Sequence, residues 1–259
     1  MAQCTNIEWT DASWNPTTGC TKISSGCKHC YAERMCNRLK AMGKQKYRNG
    51  FQLQLHEDEL DAPLRWRKPR MVFVDSMSDL FHRDVPLGFI KRVFTTMAKA
   101  DPHTFQVLTK RSARLRKLQA RLPWPVNVWA GVTVESTKEL CRIDDLRQVP
   151  ASVRFVSFEP LLGPMPDLDF TGIDWAIVGG ESGPGARPMD AEWVRDLRRQ
   201  CRRAQVWFLL KQWGSSNNNP NPDDPTDKKN GGTAKGGRLL DGRLWHQFPE
   251  PREGRGRHG

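Results

Sequence analysis

The chain has 259 residues, with 41 Lys and Arg against 29 Asp and Glu, and a formal net charge of +12. At 37% hydrophobic residues it can bury one sizeable core, which excludes wholesale disorder; its longest strong apolar run, Val206-Trp207-Phe208-Leu209-Leu210, falls far short of the roughly 18 residues a membrane span needs. The opening Met1-Ala2-Gln3-Cys4-Thr5-Asn6 has no apolar signal core, so a soluble, cytoplasmic protein without a membrane partner is expected.

In chain order, a first strand is expected near Ser13 to Asn15 and a first helix from about Cys30 to Met42. From residue 71 onward, β-branched or aromatic runs alternate with segments of helical period. The runs are Met71 to Val74, Phe105 to Leu108, Val126 to Trp129, Val153 to Val156, Trp175 to Val178 and Val206 to Leu210. Between them, Ile90, Val93, Phe94, Met97 and Ala98 mark the buried face of one helix; Leu115, Leu118 and Leu122 mark a second, and Val194, Leu197 and Cys201 a third. Such alternation implies a parallel sheet with right-handed crossovers. Six or seven units are fewer than the eight of a closed barrel, so the expected fold is α/β, a partial TIM-type βα barrel and not a doubly wound open sheet. Residues 1–214 would form the barrel, with a cysteine-bearing loop at 19–30. Residues 215–236 would be a flexible linker rich in Asn, Pro and Gly, 237–249 a hairpin about Asp241-Gly242 packing on the barrel, and 250–259 a disordered tail.

Chemistry in such folds sits at the carboxyl ends of the strands, and here nearly every strand end carries an ionisable residue. The ends hold Asp75-Ser76-Met77-Ser78-Asp79, Thr109-Lys110-Arg111, Thr133-Val134-Glu135, Ser157-Phe158-Glu159, Gly179-Gly180-Glu181 and Lys211-Gln212-Trp213. Taken singly, many of these would be helix caps or solvated loop charges.

Seven cysteines is an odd number, and three of them, Cys20, Cys27 and Cys30, fall within eleven positions. That is a poor disulfide framework and a good metal site in a reducing compartment. Three thiolates on one short loop can hold three corners of a cluster and leave one iron open, whereas structural zinc prefers four ligands. Cys36 or His29 could complete a zinc set, although Cys36 lies at a helical spacing from Cys30 that turns it aside. A 4Fe-4S cluster, zinc and inert buried cysteines are the three readings of the triplet.

The run Trp14-Asn15-Pro16-Thr17-Thr18-Gly19-Cys20, with Cys27-Lys28-His29-Cys30-Tyr31-Ala32-Glu33, Phe73-Val74-Asp75-Ser76-Met77-Ser78-Asp79-Leu80-Phe81, Val107-Leu108-Thr109-Lys110-Arg111, Phe158-Glu159-Pro160-Leu161-Leu162-Gly163-Pro164 and Gly179-Gly180-Glu181-Ser182-Gly183-Pro184-Gly185-Ala186-Arg187-Pro188, resembles the phage-associated three-Cys-motif family. That family is widespread in phages and bacteria and is itself similar to radical S-adenosylmethionine (SAM) enzymes. The resemblance implies a 4Fe-4S cluster on Cys20, Cys27 and Cys30 whose open iron binds SAM. One electron, from a reductant protein such as flavodoxin or ferredoxin, would cleave SAM to methionine and a deoxyadenosyl radical, which takes a hydrogen atom from the substrate. His29 occupies a position usually aromatic in radical SAM enzymes. Two departures stand out: six residues separate the first two cysteines where three are usual, and Gly179-Gly180-Glu181 follows a late strand where such a triplet usually follows the second. Ser76, Ser78 or Asp79 would therefore meet the SAM amino group, with Glu135 and Glu181 as further carboxylate partners, and Gly179 and Gly180 would let the cofactor approach the backbone.

The positive charge points to an anionic partner, nucleic acid above all. It clusters on residues 21–50 and again on Lys110, Arg111, Arg114, Arg116 and Lys117, an expected footprint for the phosphate backbone, of DNA in particular; the bland reading is that barrel helices turn charged faces to solvent. His82 and His103 are expected at element ends, without catalytic duty, and Trp66 and Trp213 in the core or at its rim. The leading expectation is a radical-SAM-like enzyme that repairs or modifies a nucleic-acid base in a manner similar to photoproduct lyases. Its rival is a nucleic-acid-binding accessory protein of a mobile element, with a structural zinc or cluster and no radical chemistry.

Overall fold

Seven strands run parallel in one curled sheet, in a computed structural model that describes residues 3–4, 7–227 and 235–249. In chain order the strands are β1 (Gln3–Cys4), β2 (Ala12–Trp14), β3 (Thr17–Thr18), β4 (Gln54–Leu55), β5 (Met71–Val74), β6 (Thr104–Thr109), β7 (Val128–Thr133), β8 (Arg154–Phe158), β9 (Trp175–Gly179), β10 (Trp207–Gln212), β11 (Leu239–Leu240) and β12 (Arg243–Leu244). The helices are α1 (Tyr31–Ala41), α2 (Leu87–Lys99), α3 (Ser112–Leu118), α4 (Cys141–Arg147) and α5 (Ala191–Arg203). The main sheet is ordered β1-β2-β5-β6-β7-β8-β9-β10, with only β1 antiparallel. The expected partial barrel is therefore the observed one. β3 and β4 form a separate two-stranded sheet that the apolar pattern does not announce, because each is only two residues long.

Alternation along the strands separates two apolar layers. Val72, Phe105, Val132, Val156 and Val178 face the helices, where Ile90, Val93, Phe94 and Met97 of α2 and Val194, Leu197 and Cys201 of α5 complete the main core. The opposite layer is aromatic: Trp9, Trp129, Phe155 and Trp175 pack together, with ring centroids of Trp129 and Trp175 6.1 Å apart at nearly right angles. Leu122, read as helical, lies just past a 3-10 turn at Gln119–Arg121, since Pro123 and Pro125 forbid further helix.

At the other end of the chain Asp241 and Gly242, at φ of 52° and 72°, make the left-handed turn of the hairpin β11–β12. Trp213 is fully buried and its indole N–H donates to the Leu239 carbonyl at 2.9 Å, so the hairpin is pinned beside β10. Residues 215–227 wind around Asp224, whose carboxylate accepts hydrogen bonds from Asn219, Thr226 and Leu239. The remainder of the expected linker, 228–234, and the tail 250–259 lie outside the described residues. No helix among the described residues is long and apolar enough to cross a membrane.

Candidate functional site

The site begins where β5 ends. Asp75 takes a left-handed φ of 59°, and its buried carboxylate accepts from the Thr17 N–H and hydroxyl, each at 2.9 Å. Asn15 Oδ1 accepts from the Ser76 hydroxyl and the Met77 N–H, while the Ser78 hydroxyl donates to the Gly19 carbonyl at 2.6 Å. These bonds knit the ends of β2 and β5 together and launch the cysteine loop from Gly19 across the carboxyl ends of the strands.

The loop is then tied down by three strand-end carboxylates. Thr21 accepts from Arg111, which also lies 3.7 Å from Asp79 after β5. The Ser24 hydroxyl donates to Glu135 after β7 at 2.7 Å. Gly26 passes so close to that carboxylate that any Cβ would stand 2.3 Å from Oε1, so only glycine fits. His29 Nδ1 meets Glu181 after β9 at 2.9 Å, and Cys30 sits at the cap of α1. Each carboxylate has further partners. Asp79 accepts from Thr109 at 2.7 Å and from the Phe81 N–H, Glu135 is paired with Arg142 at 2.8 Å while fully buried, and Glu181 is forked by Arg187.

The electrostatics follow from this pairing. Burial alone would raise the Glu181 carboxyl, but the Arg187 guanidinium, its backbone N–H and His29 outweigh it and hold the group at about 2. Among the described residues no cation forms an ion pair with Asp75, and burial pushes it up to about 7 against the pull of Thr17 and, more weakly, of Lys46. Burial, reinforced by Asp79, pushes the Cys20 thiol up to about 12, so a cation that captured this sulfur would have to displace a proton.

The three thiols are half-buried and free of disulfides. Three soft donors on one loop suit an iron–sulfur cluster in kind. Among the described residues, however, no three His, Cys, Asp or Glu side chains stand gathered as a metal site, so the thiols must turn together to take one up. Cys36 is fully buried against Tyr47 and Met77.

Other residues singled out in the sequence take definite places. Gly180 has its own structural reason, because a Cβ there would lie 2.0 Å from the Trp213 carbonyl, whereas one on Gly179 would press on Glu159 at 3.3 Å. Arg114 lies flat on the chain, donating to the carbonyls of His82 and Val85 at 2.7 and 2.6 Å. Arg116 pairs with Asp145 at 3.1 Å, Lys110 lies 3.5 Å from Glu135, and Lys117 is exposed. His82 is fully buried, and its Nε2 meets the Thr21 hydroxyl at 2.9 Å, a further tie on the cysteine loop. His103 is buried against Trp66. Reasoning from sequence missed Arg142 and Arg187, and it named Glu159 and Lys211, at the ends of β8 and β10, as strand-end charges without pairing them. Arg187 lies near the end of the quoted Gly-rich run, which was a usable signal; nothing in the spacing of Arg142 from Glu135 announces their pairing.

Solved structures share this architecture. A cysteine-to-serine variant of spore photoproduct lyase is similar over 82% of this chain and 78% of its own, with a TM-score of 0.54 at 11% identity. A tyrosine-to-phenylalanine variant gives 0.54 at 10% identity, over 82% and 79% of the two chains. Spore photoproduct lyase complexed with dinucleoside spore photoproduct gives 0.50 at 12% identity, over 78% of this chain and 64% of that one. At such identities the likeness is one of fold alone. No curated protein matches the chain by sequence. Residues 4–249 match the family described as protein of unknown function (DUF5131), and the chain belongs to that family.

Proposed function

We propose that this chain is a radical-SAM-like iron–sulfur enzyme that repairs or modifies a base in nucleic acid, DNA in particular. The observation that carries the reading is the placement of the three-thiol loop across the carboxyl ends of seven parallel strands, anchored there by Glu135 and Glu181. The fold it shares with spore photoproduct lyase, one structure of which holds a dinucleoside photoproduct, supports a nucleic-acid lesion as substrate class.

Cys20, Cys27 and Cys30 would hold a 4Fe-4S cluster, which when bound with SAM supplies one-electron chemistry. The chain's own residues set where that chemistry happens. Arg111 and Thr21 fix the backbone beside Cys20, Ser24 and Glu135 fix it beside Cys27, and His29 with Glu181 fixes it beside Cys30. Arg142 and Arg187 compensate the two glutamates, so the loop is held by charge-assisted bonds to buried carboxylates. Ser76 and Ser78 are engaged with Asn15 and Gly19 and act through the loop's take-off, while Asp79, Glu135, Glu181 and the Gly179-Gly180 turn line the side where SAM would lie. Lys28, Arg38, Lys40, Lys44 and Lys117 are exposed, as are Ile23 at 46% and Tyr31 at 53% beside the cysteines, a surface that suits phosphate contacts and base stacking. A flavodoxin or ferredoxin would supply the electron.

The test is anaerobic reconstitution with iron and sulfide, then dithionite and SAM, with deoxyadenosine measured with and without an ultraviolet-irradiated oligonucleotide. Deoxyadenosine formation that the oligonucleotide alters is the expected result. Stoichiometric zinc and no deoxyadenosine would favour the accessory-protein reading in its place.

A further inference from the structure

A cavity of about 640 Å³ opens at the end of the sheet opposite the cysteine loop, where α5 finishes and β10 starts. Arg198, Arg202, Trp207, Arg243, Trp245 and Gln247 line it. Its volume falls in the range of small-molecule sites.

The arginines of this region divide into two sets. Arg195, Arg199 and Arg203, four residues apart on α5, are neutralised by Asp241, Asp196 and Asp167. Arg198 and Arg202 lie on the adjacent stripe of the helix, and Arg243 comes from the hairpin; among the described residues none of these three is paired with a carboxylate. Arg198 stacks over Trp245, its guanidinium carbon 3.7 Å from the ring centroid, and Arg243 lies 4.5 Å from the same centroid. The Arg198 Nε–H is buried without a hydrogen-bond partner, a donor whose desolvation an incoming acceptor would repay. Gln247 Oε1 accepts from the Phe208 N–H, which leaves its amide NH2 as a further donor. Beside them Trp207 is 44% exposed, a large ring face at a polar rim.

The geometry points to a second anion site, separate from the cysteine loop, that takes the phosphate group of a nucleotide unit. Three guanidinium groups line one cavity, and among the described residues no carboxylate is in ion-pair contact with them, Asp241 acting on Arg198 only at longer range, which suits the planar, forked recognition of phosphate oxygens, and the Trp207 ring offers a stacking face for the attached base. The unit is either a free nucleotide or one within a strand. The site needs no iron and no SAM, and so stands apart from the reaction proposed above.

Titration calorimetry on the full chain without cluster, using inorganic phosphate, adenosine monophosphate and a short single-stranded deoxyoligonucleotide, tests it. Saturable binding that weakens as salt rises is expected, and the Arg202→Gln/Arg243→Gln variant should bind about tenfold more weakly or worse. Both arginines are exposed, so the fold is not at stake, and Arg202→Gln alone should show a smaller loss in the same direction. Tighter binding of adenosine monophosphate identifies a free nucleotide, tighter binding of the oligonucleotide identifies a strand, and either supports the site. No saturable heat with any of the three probes, or equal affinity in the parent and double variant, overturns it.

Discussion

The helix-facing core and the strand-end carboxylates beneath the mouth are both buried, yet opposite forces hold them. In the core, Val93, Phe94 and Met97 are fully buried among other apolar groups, and each contributes through area removed from water. At the mouth, Glu135 is fully buried and Asp79, Glu181 and Asp75 nearly so, and each must recover its desolvation through specific partners. Buried ion pairs add little net stability, so their gain here is position: the carboxylates at the ends of β5, β7 and β9 set the register of one eleven-residue loop.

The two regions should therefore break differently. Phe94→Ala opens a cavity beside Trp124, whose ring centroid is 4.9 Å away, and should cost about 3–5 kcal/mol in urea unfolding while leaving iron uptake intact at temperatures where the protein is folded. Glu135→Ala strands the buried Arg142 guanidinium and should cost a similar 3–5 kcal/mol or so, but with loss of iron uptake as well. Equal iron uptake in the two variants would erase the distinction between core and mouth.

The pH dependence sharpens the comparison inside the mouth itself. Glu181 is held at about 2, below its ordinary 4.5, so its stabilising contribution is complete above pH 4.5 and is lost as pH falls towards 2. Asp75 is raised from 3.8 to about 7, so the folded state prefers its proton; that stability is present below 3.8 and is lost as pH rises towards 7. Arg187→Gln should flatten the acid limb of a stability–pH profile. Asp75→Asn keeps an acceptor for the Thr17 N–H and tolerates the left-handed φ, so it should raise stability at pH 7 and above and remove the descending limb. A profile with the same descending limb in Asp75→Asn would exclude Asp75 as its source.

Smaller effects on stability follow at the loop and the surface. Single Ala substitutions of Cys20, Cys27 or Cys30, all half-exposed, should change stability by about 1 kcal/mol or less while removing bound iron. Lys40→Glu with Lys117→Glu, both exposed, should change stability by less than about 0.5 kcal/mol and lower the salt slope of DNA binding measured by fluorescence anisotropy.

The barrel was legible in the sequence because each strand is a short apolar run and each main helix repeats at its period; Val72, Phe105 and Val178 land where their patterns place them. Boundaries drifted where local chemistry intervened, as at Leu122 before Pro123, and at Val126, which precedes β7 because it sits in a turn closed by the Val128 N–H donating to the Pro125 carbonyl at 3.0 Å. The cysteine loop was legible from spacing alone, and the ring of strand-end charges was found as a set. The partners within that ring were hidden, because Ser24–Glu135 and Arg142–Glu135 depend on which strands the curled sheet brings together and not on any local pattern. Gly180 illustrates the same limit, since its closest neighbour is the carbonyl of Trp213 on the adjacent strand end.

The most direct test of the central claim is the iron and sulfide content of anaerobically reconstituted protein, read with its visible absorption, for the parent chain and for Cys27→Ala. The account predicts about four iron atoms and four sulfides per chain in the parent, with the absorption of a 4Fe-4S cluster, and loss of both in the variant. An intact iron content in Cys27→Ala, or stoichiometric zinc in place of iron in the parent, would contradict it.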